Sequence, residues 1–231
     1  MTTQPLATAV SIRQLHKNAS DADVDAATSV MDDAFVNDRF CSFLIGGHAA
    51  LLSNCNRAQI RAALVGGLVY VAETESGDIV GAAVWFGPGQ GLLESEGQAA
   101  QGFTQFIGDL GAAYPEMPAW WMSYFLPAYG AFNDKAHGGP EYKHSGWHLQ
   151  LLGVRAGFHR RGIGSSLVKF IEKTAANSLE GSKHLTVETE TEGALAFYKS
   201  LGFVVRGETL IQSEKKMSST VPMWTLAKEL T

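Results

Sequence analysis

The sequence has little cysteine, and the cysteine it has is not arranged for a metal site or a disulfide framework. Cys41 and Cys55 are the only two in 231 residues, and no Cys-x-x-Cys pair or Cys/His cluster with zinc spacing accompanies them. Both lie outside the motifs described below, so a cysteine nucleophile is not expected. We therefore expect a reduced, metal-free protein of the cytoplasm.

Long apolar runs and an excess of positive charge are also missing. No stretch approaches the roughly 18–20 uninterrupted apolar residues that cross a bilayer. Residues 1–10 have neither a basic residue nor the apolar run of a secretory signal, and a flexible tail is expected there. The net charge of -5 disfavours general affinity for nucleic acid or anionic lipid. These absences favour a small-molecule or protein substrate.

The apolar pattern of the first part of the chain predicts a mixed α/β domain. With 45% apolar and 18% charged residues, the chain can build one sizeable core, and it has no internal repeat. Two runs rich in Val, Tyr and Trp flank Ser76-Gly77-Asp78 and predict a β-hairpin. The predicted elements are a strand at 11–15, a helix capped by Ser20, a helix at 49–64, and hairpin strands at 68–73 and 79–86.

Residues 87–145 interrupt this pattern as a helical insertion, and strands and helices alternate after it. Gly and Pro punctuate the insertion, in which helical pieces are predicted at 94–110 and 118–129. The alternation that follows is typical of an α/β sandwich. Its predicted elements are strands at 148–154, 184–189, 203–209 and 223–226, and helices at 163–177 and 193–201.

A glycine loop at residues 159–164, His-Arg-Arg-Gly-Ile-Gly, lies between a predicted strand and a predicted helix. Gly162 and Gly164 let the backbone approach a ligand closely, and the unpaired N–H groups at the start of the helix suit a pyrophosphate. The two arginines add positive charge, and Ser165 adds a hydroxyl donor. No Gly-Lys-Ser/Thr follows and the three-glycine spacing is absent, so neither a Walker loop nor a dinucleotide site is predicted.

These residues resemble the GNAT superfamily of acetyl-CoA-dependent acetyltransferases. Residues 159–164 match the family's phosphate loop, Gln/Arg-x-x-Gly-x-Gly/Ala, and residues 194–203 match its Ala-x-x-Phe-Tyr-x-x-x-Gly-Phe signature. His159 stands where the family has Gln or Arg, and Thr191 stands where many members have an Asn that reaches the cofactor arm. Within the family, residues 32–35 and 187–189 look most like the puromycin N-acetyltransferase branch.

The resemblance implies a fold and a cofactor site for the single domain, 1–231. The expected fold is a mixed, twisted sheet of six or seven strands flanked by helices, with the insertion between strands three and four. Acetyl-CoA would lie in a notch where strands four and five splay, within a core at 147–209. The implied cofactor contacts are Leu152, Gly153, Val154, His159, Arg160, Arg161, Gly162, Ile163, Gly164, Ser165, Thr191 and Tyr198.

The resemblance also implies a reaction, the direct transfer of an acetyl group from acetyl-CoA to an amine without a covalent enzyme intermediate. The main-chain N–H of Val154 is expected to polarise the thioester carbonyl, while Leu152 and Val154 pair with the pantetheine arm. Tyr198 is the expected acid, because the family places this hydroxyl near the thioester sulfur. The alternative for Tyr198 is a role in core packing, as for most helical aromatics.

Polar side chains of two strands are candidates for the acceptor side. Glu188 and Glu190 alternate with Thr189 and share a face, where one of them could act as a water-mediated base or bind a cationic acceptor. The alternative is that both are solvated strand-end carboxylates. His148 and Gln150 share a face of the central strand; His148 is a candidate base, with a structural histidine as the alternative, and Gln150 is a candidate acceptor contact.

The insertion carries a concentration of aromatic residues at helical spacing. Trp121, Phe125 and Tyr129 recur every four residues, with Trp120 and Tyr124 on the neighbouring line. One such stripe usually packs into a core, but two exceed what a peripheral helix buries. Part of the insertion is therefore expected to line or cover an acceptor pocket, with Trp121 and Tyr124 as contacts.

The expected acceptor is the amine of a small molecule, and no nucleic acid, membrane or metal is expected to take part. Two alternatives remain open: an acetyltransferase of protein N-termini or lysines, and a non-catalytic acyl-CoA-binding sensor. A protein substrate favours an open acidic groove, whereas an aromatic insertion favours a closed pocket. The chain is expected to be a monomer or a homodimer.

Overall fold

A single twisted sheet of seven strands organises the chain, whose computed structural model describes residues 9–177 and 183–230. The strand order is β1-β2-β3-β4-β5-β7-β6, with every neighbouring pair antiparallel except β4 and β5, which are parallel. The predicted tail lies outside the described residues up to residue 8. The strands are β1 (Val10–Leu15), β2 (Leu68–Thr74), β3 (Ile79–Phe86), β4 (Trp147–Val154), β5 (His184–Thr189), β6 (Val204–Gln212) and β7 (Thr220–Glu229).

Helices cover both faces of the sheet and fill the connection between β3 and β4, which confirms the predicted fold class. The Ser20 cap is also confirmed, because its hydroxyl accepts a hydrogen bond from the N–H of Asp23 at 3.1 Å. The helices are α1 (Asp21–Phe35), α2 (Arg39–Leu44), α3 (Leu52–Gly66), α4 (Glu96–Ala99), α5 (Phe103–Ala113), α6 (Met117–Trp120), α7 (Leu126–His137), α8 (Pro140–Ser145), α9 (Ile163–Asn177) and α10 (Glu192–Ser200).

The insertion differs from its predicted helices at two places. The piece predicted at 94–110 is two helices, α4 and α5, because Gly102 has a φ of +110° and breaks the helical path. The second piece continues to His137 instead of ending near 129. A wide π-helical turn, Trp121–Phe125, precedes Pro127, whose ring would otherwise clash with a carbonyl of the preceding turn.

The ladder between β4 and β5 is short and opens a notch in the sheet. It consists of three residue pairs and ends at Leu149↔Val187, although β4 runs on to Val154. On the other side of β4, Leu149 pairs with Trp85 while Leu151 pairs with Val84, so Gln150 is the extra residue of a β-bulge. Beyond Leu149, β4 therefore has hydrogen-bonding groups that β5 does not use.

Backbone alternation decides which groups of β4 face the notch. The N–H of Arg155 donates to the carbonyl of Val80 at 2.9 Å, so residue 155 is bonded toward β3. In an antiparallel ladder these bonds fall on every second residue, which directs Leu152 and Val154 toward the notch. Gly153 pairs with β3 and leaves room for α1, since an added Cβ would lie 2.8 Å from the sulfur of Met31.

Three apolar clusters hold these layers together. One lies between the sheet and α9, where Leu167, Val168 and Ile171 are fully buried. A second lies between the opposite face and helices α1 and α3. The third joins the insertion to α2 and to the ends of β6 and β7, so the insertion has a core of its own. Its buried members include Phe43, Phe106, Leu110, Trp120, Trp121, Phe125, Ile211 and Met223.

Gly81 on β3 is predicted to be required for the close packing of α9. A Cβ added there would lie 2.8 Å from Ile163 Cγ2 and 3.2 Å from Leu167 Cδ1, both in the first turns of that helix. Gly81→Ala is expected to lower the free energy of unfolding by about 1–3 kcal/mol through overpacking, measured by urea denaturation. In the control, Gly108→Ala on the exposed face of α5, an added Cβ meets nothing within 4 Å, so stability should be equal or slightly higher. Equal effects of the two substitutions would contradict the packing argument.

Candidate active site

A cavity of about 600 Å³ lies beside the notch. Strands β4 and β5 form one wall, helices α1 to α3 form another, and the insertion closes the space. Most of the lining is apolar, with a few polar side chains that converge from different elements. The polar members from the two strands are His148, Gln150, Glu188, Thr189 and Glu190.

The glycine loop lies where the notch meets the start of α9. After β4 the chain forms a single 3₁₀ turn, Ala156–Phe158, and Arg160 and Gly162 both have positive φ, +59° and +82°. The N–H of Ser166 donates to the carbonyl of Gly162 at 2.9 Å, which is the first bond of the helix. The preceding N–H groups of α9 therefore have no intrahelical partner and point toward the loop.

Helix α1 and the hairpin anchor this loop. Asp33 accepts a hydrogen bond from the N–H of Ala156 at 2.7 Å, and the guanidinium of Arg155 donates to the carbonyl of Ile79 at 3.1 Å. In the sequence, Asp33 is marked only by the family resemblance of residues 32–35. Its contact with a residue 123 positions away has no signature in the local sequence.

His159, which replaces the family's Gln or Arg, contacts the backbone of β4. Its Nε2 lies 2.8 Å from the carbonyl oxygen of Val154, which requires Nε2–H to donate. The ring therefore fixes the beginning of the loop to the end of the strand. The carbonyl of Val154 is occupied by this bond, while the N–H of Val154 and both groups of Leu152 face the notch.

The role expected for Val154 in polarising the thioester carbonyl stays a prediction. Residues 148–152 of β4 line the cavity, but Val154 does not, because it lies two residues further toward the phosphate loop. Leu152 is the notch-facing residue that also lines the cavity. Its N–H is therefore a second candidate for this role.

Tyr198 reaches the cavity from α10, which begins at the notch side of β5. Thr191 caps this helix, since its hydroxyl accepts from the N–H of Ala194 at 3.2 Å. The Tyr198 side chain packs edge-on against Phe197 and Phe203 and is 6% exposed. Burial, together with the negative charges of Glu190 and Glu188, raises the pKa of Tyr198. The hydroxyl therefore stays protonated, as a proton donor requires.

Glu188 is held in a buried cluster of hydrogen bonds. Its Oε2 accepts from the hydroxyl of Tyr129 at 2.5 Å and from Nζ of Lys143 at 3.1 Å, and its Oε1 lies 3.2 Å from the hydroxyl of Thr225. The Glu188 side chain is only 7% exposed, so the interpretation of this residue as a solvated carboxylate is wrong. Tyr129 and Lys143 both come from the insertion, and no motif or periodic pattern in the sequence marks Lys143.

The charges of this cluster set the protonation of Glu188. Burial alone would raise its pKa, but the ammonium of Lys143 and the hydrogen bond from Tyr129 outweigh burial and lower the pKa to about 2. Burial lowers the pKa of Lys143, and the charge of Glu188 opposes that shift. Glu188 is therefore an ionised carboxylate with a cationic partner at neutral pH.

His148 lies next to Glu188 on the adjacent strand. Its Nδ1 is 3.1 Å from the hydroxyl of Thr186, and its Nε2 is 3.5 Å from Oε2 of Glu188. Burial, and then the charge of Lys143, lower the pKa of His148 to about 3. The residue is a satisfied, neutral histidine that also lines the cavity.

Glu190 and Gln150 also line the cavity. Burial raises the pKa of Glu190 well above its ordinary value, and the charges of Asp38 and Glu188 add to this. Nε2 of Gln150 donates to Oε1 of Gln59 at 3.1 Å, so the bulge of β4 is tied to α3. Both residues predicted to meet the acceptor therefore lie on the cavity wall.

The two aromatic stripes of the insertion have different destinations. Trp121, Phe125 and Tyr129 line the cavity. Trp120 and Tyr124 turn toward the end of β6, where the indole donates to the carbonyl of residue 212 at 3.1 Å and the tyrosine hydroxyl accepts from its N–H at 2.9 Å. Trp121 therefore lines the cavity and Tyr124 does not, and the acceptor contacts expected for both stay predictions.

The chain belongs to the acetyltransferase (GNAT) family, whose model matches residues 57–203. That range contains the hairpin, the insertion, the phosphate loop and the Tyr198 helix. The predicted family is thereby confirmed. Among curated proteins no sequence match is significant.

Solved structures of acetyltransferases resemble the whole fold at low sequence identity. A histone acetyltransferase HPA2-related protein from Corynebacterium glutamicum has a TM-score of 0.61 and 22% identity, over 96% of this chain and 97% of that one. The mosquito arylalkylamine N-acetyltransferase like 5b has a TM-score of 0.63 and 14% identity, over 96% and 100%. The Drosophila melanogaster polyamine N-acetyltransferase has a TM-score of 0.57 and 12% identity, over 96% and 100%. These likenesses establish the fold.

Within the described parts of the chain, every helix is too short or too polar to cross a bilayer.

The buried neutral state of His148 predicts a loss of stability in acid. Because its folded pKa of about 3 lies below the ordinary value of 6.5, the unfolded chain takes up the proton first. The stabilisation is complete above pH 6.5 and is lost as the pH falls toward 3. One such proton contributes a slope of at most about 1.4 kcal/mol per pH unit.

The measurement compares the free energy of unfolding at about pH 7 and about pH 5.5, a range that lies above the ordinary pKa of a glutamate, about 4.3. His148→Gln is expected to flatten the fall seen in the wild type. The control His16→Gln, at an exposed position of the chain, should retain the full fall. A His148→Gln curve parallel to the wild-type curve would contradict a neutral buried imidazole.

Proposed function

We propose that this acetyltransferase moves the acetyl group of acetyl-CoA directly to the amine of a small molecule. The proposal rests on two features that lie at opposite ends of the notch. A phosphate loop at the start of α9 lies at one end of the notch, and a cavity containing both an ionised carboxylate, Glu188, and a protonated phenol, Tyr198, lies at the other.

The residues at the notch fit coenzyme A. An added Cβ at Gly162 meets nothing within 4 Å, so the loop leaves open space beside the first amides of α9 for a pyrophosphate. Arg160 and Arg161 supply positive charge next to it. The backbone of Leu152 and the N–H of Val154 would pair with the pantetheine arm, and Thr191 and Ser165 lie within the same notch region. The bound cofactor supplies an acetyl thioester to the cavity.

Three groups of the chain would then serve the transfer. Glu188 accepts, directly or through a water, the proton that the amine nitrogen releases as its lone pair attacks the thioester carbonyl. The N–H of Leu152 polarises the thioester carbonyl. Tyr198 donates its proton to the departing thiolate sulfur. The acetyl group moves from sulfur to nitrogen, and no bond to the enzyme forms.

The aromatic lining of the cavity supports a small acceptor over a protein chain. Trp121, Phe125 and Tyr129 present apolar surface to the space beyond the carboxylate, which suits a compact amine with an apolar body. The mosquito and Drosophila relatives are named for small amine substrates, which agrees with this acceptor. The similarity to the puromycin N-acetyltransferase branch stays a prediction.

Release of coenzyme A thiol on a panel of amines tests the function. Turnover with small amines and none with peptide N-termini or lysines is the expected result. The reverse preference would favour the protein-acetyltransferase alternative, and cofactor binding without turnover on any amine would favour a sensor.

Tyr198→Phe is expected to lower kcat by about 10²-fold or more while the Kd for acetyl-CoA stays nearly constant, because only the proton donor is lost. Steady-state kinetics and calorimetric titration measure the two quantities. Tyr70→Phe is the matched control, because Tyr70 is also buried but packs against Phe170, away from the cavity. The Tyr70→Phe enzyme should have the kcat of the wild type. Equal kcat in Tyr198→Phe and wild type would remove Tyr198 from the mechanism.

Gly162→Asp is expected to weaken coenzyme A binding at least about tenfold, a loss of about 1.4 kcal/mol. The substitution places a carboxylate beside the pyrophosphate and strains a position with φ of +82°. Gly138→Asp is the control, because Gly138 has a φ of +84° and equally open surroundings at the end of α7. Calorimetric titration showing intact affinity in Gly162→Asp would contradict the phosphate site.

A further inference from the structure

Lys143 is a partly buried cation at the acceptor side of the cavity, outside both motifs that identify the family. It lies on the short helix α8, and its Nζ is 3.2 Å and 3.1 Å from the two carboxylate oxygens of Glu188. The same ammonium donates to the hydroxyl of Tyr129 and lies 4.5 Å from the centroid of that ring. The Lys143 side chain is 22% exposed and the Glu188 side chain 7% exposed.

This geometry needs a reason beyond stability. Burying two charges costs desolvation energy that their attraction often fails to exceed, so an apolar pair of similar volume would hold α8 against β5 about as well. A catalytic carboxylate in a closed apolar cavity, however, needs a neighbouring cation, since burial alone drives a carboxyl to its protonated form. Lys143 supplies that cation.

We infer that Lys143 is a positioning residue, which keeps Glu188 charged and aimed at the cavity so that Glu188 accepts the acceptor's proton instead of binding the acceptor as a cation. The inference rests on the proposed function. Because Lys143 already neutralises this carboxylate, an incoming ammonium gains little there. The amine is therefore expected to reach Glu188 in its neutral form.

Several groups face Glu188 from the surrounding elements, and all of them except Lys143 are unchanged in the comparison below. The hydroxyl of Thr225 hydrogen-bonds to the carboxylate, and the charges of nearby titratable groups act on it or respond to it. These groups are Tyr129 and His137 on α7, Lys143 on α8, His148 on β4, Glu190 beyond β5, and Tyr198 on α10.

The first test is the pH dependence of kcat, which reports groups of the enzyme–substrate complex, in which the amine is already neutral. In Lys143→Met the buried carboxylate loses its cation, so the acidic limb should move upward by about two pH units or more and activity should recover as the pH rises. Lys143→Arg should keep the wild-type limb, because it restores the charge. Coincident limbs in Lys143→Met and wild type, or equal losses in both variants without a shift, would overturn the inference.

The second test needs no substrate. The Tm is measured from pH 4.5 to pH 8 for wild type, Lys143→Met, Lys143→Arg and the double variant Lys143→Met/Glu188→Gln. In Lys143→Met the folded pKa of Glu188 lies above its unfolded value, so stability present below about pH 4.5 is lost as the pH rises through the folded pKa. The Tm should fall more steeply in Lys143→Met than in the other three proteins, because the raised pKa of Glu190 contributes the same fall to all four.

The two tests separate the inference from the function it rests on. In one outcome the wild-type protein transfers no acetyl group, while the Tm of Lys143→Met still falls more steeply with pH than that of the double variant. That outcome would overturn the proposed function and leave the charge assignment of Lys143 standing. A Tm for Lys143→Met that follows the pH profile of the double variant would overturn the inference, whatever the activity.

Discussion

The early end of the β4–β5 ladder is the constraint on which the rest of the site depends. The strands pair over three residues, and the bulge at Gln150 then changes the register of β4 against β3. Backbone groups that a continuous sheet would consume are left facing a notch. One end of the notch meets the free amides of α9, and the other meets the cavity. In the proposed function, this geometry would aim a thioester held along β4 between Glu188 and Tyr198.

The insertion completes this arrangement by supplying what a buried carboxylate requires. Without Tyr129 and Lys143, Glu188 would face an apolar space, and its charged form would be disfavoured. The insertion is rigidly placed because it has its own apolar core, shared with α2 and the ends of β6 and β7. The insertion is therefore a wall of the site that also supplies a hydroxyl and a charged group to it. The two aromatic stripes of the insertion point in different directions, one toward the cavity and one toward the sheet.

The sequence predicted the parts of the fold whose signals are local. Helix α9 and strand β5 have the predicted bounds, Ile163–Asn177 and His184–Thr189, because a strong amphipathic period and a short β-branched run specify them. The break at Gly102 and the π-helical turn before Pro127 were not predicted, because the effect of these residues depends on the path of the surrounding chain. The partners of Glu188 could not be predicted, since Lys143 is 45 residues away and its helix has no periodic pattern. Local patterns determine helices and strands, whereas long-range contacts determine the charge states of buried side chains.

Glu188 and Glu190 show how far the environment separates two equivalent residues. They share a face of one chain segment, yet the pKa of Glu188 is lowered to about 2 while that of Glu190 is raised well above its ordinary value. The difference follows from their neighbours, because Lys143 faces the first and Asp38 faces the second. Groups whose pKa values are driven apart in one cavity are the ones that divide acid and base work. Glu188 is therefore the residue able to accept a proton, and Glu190 is the one whose charged form a cationic ligand would favour.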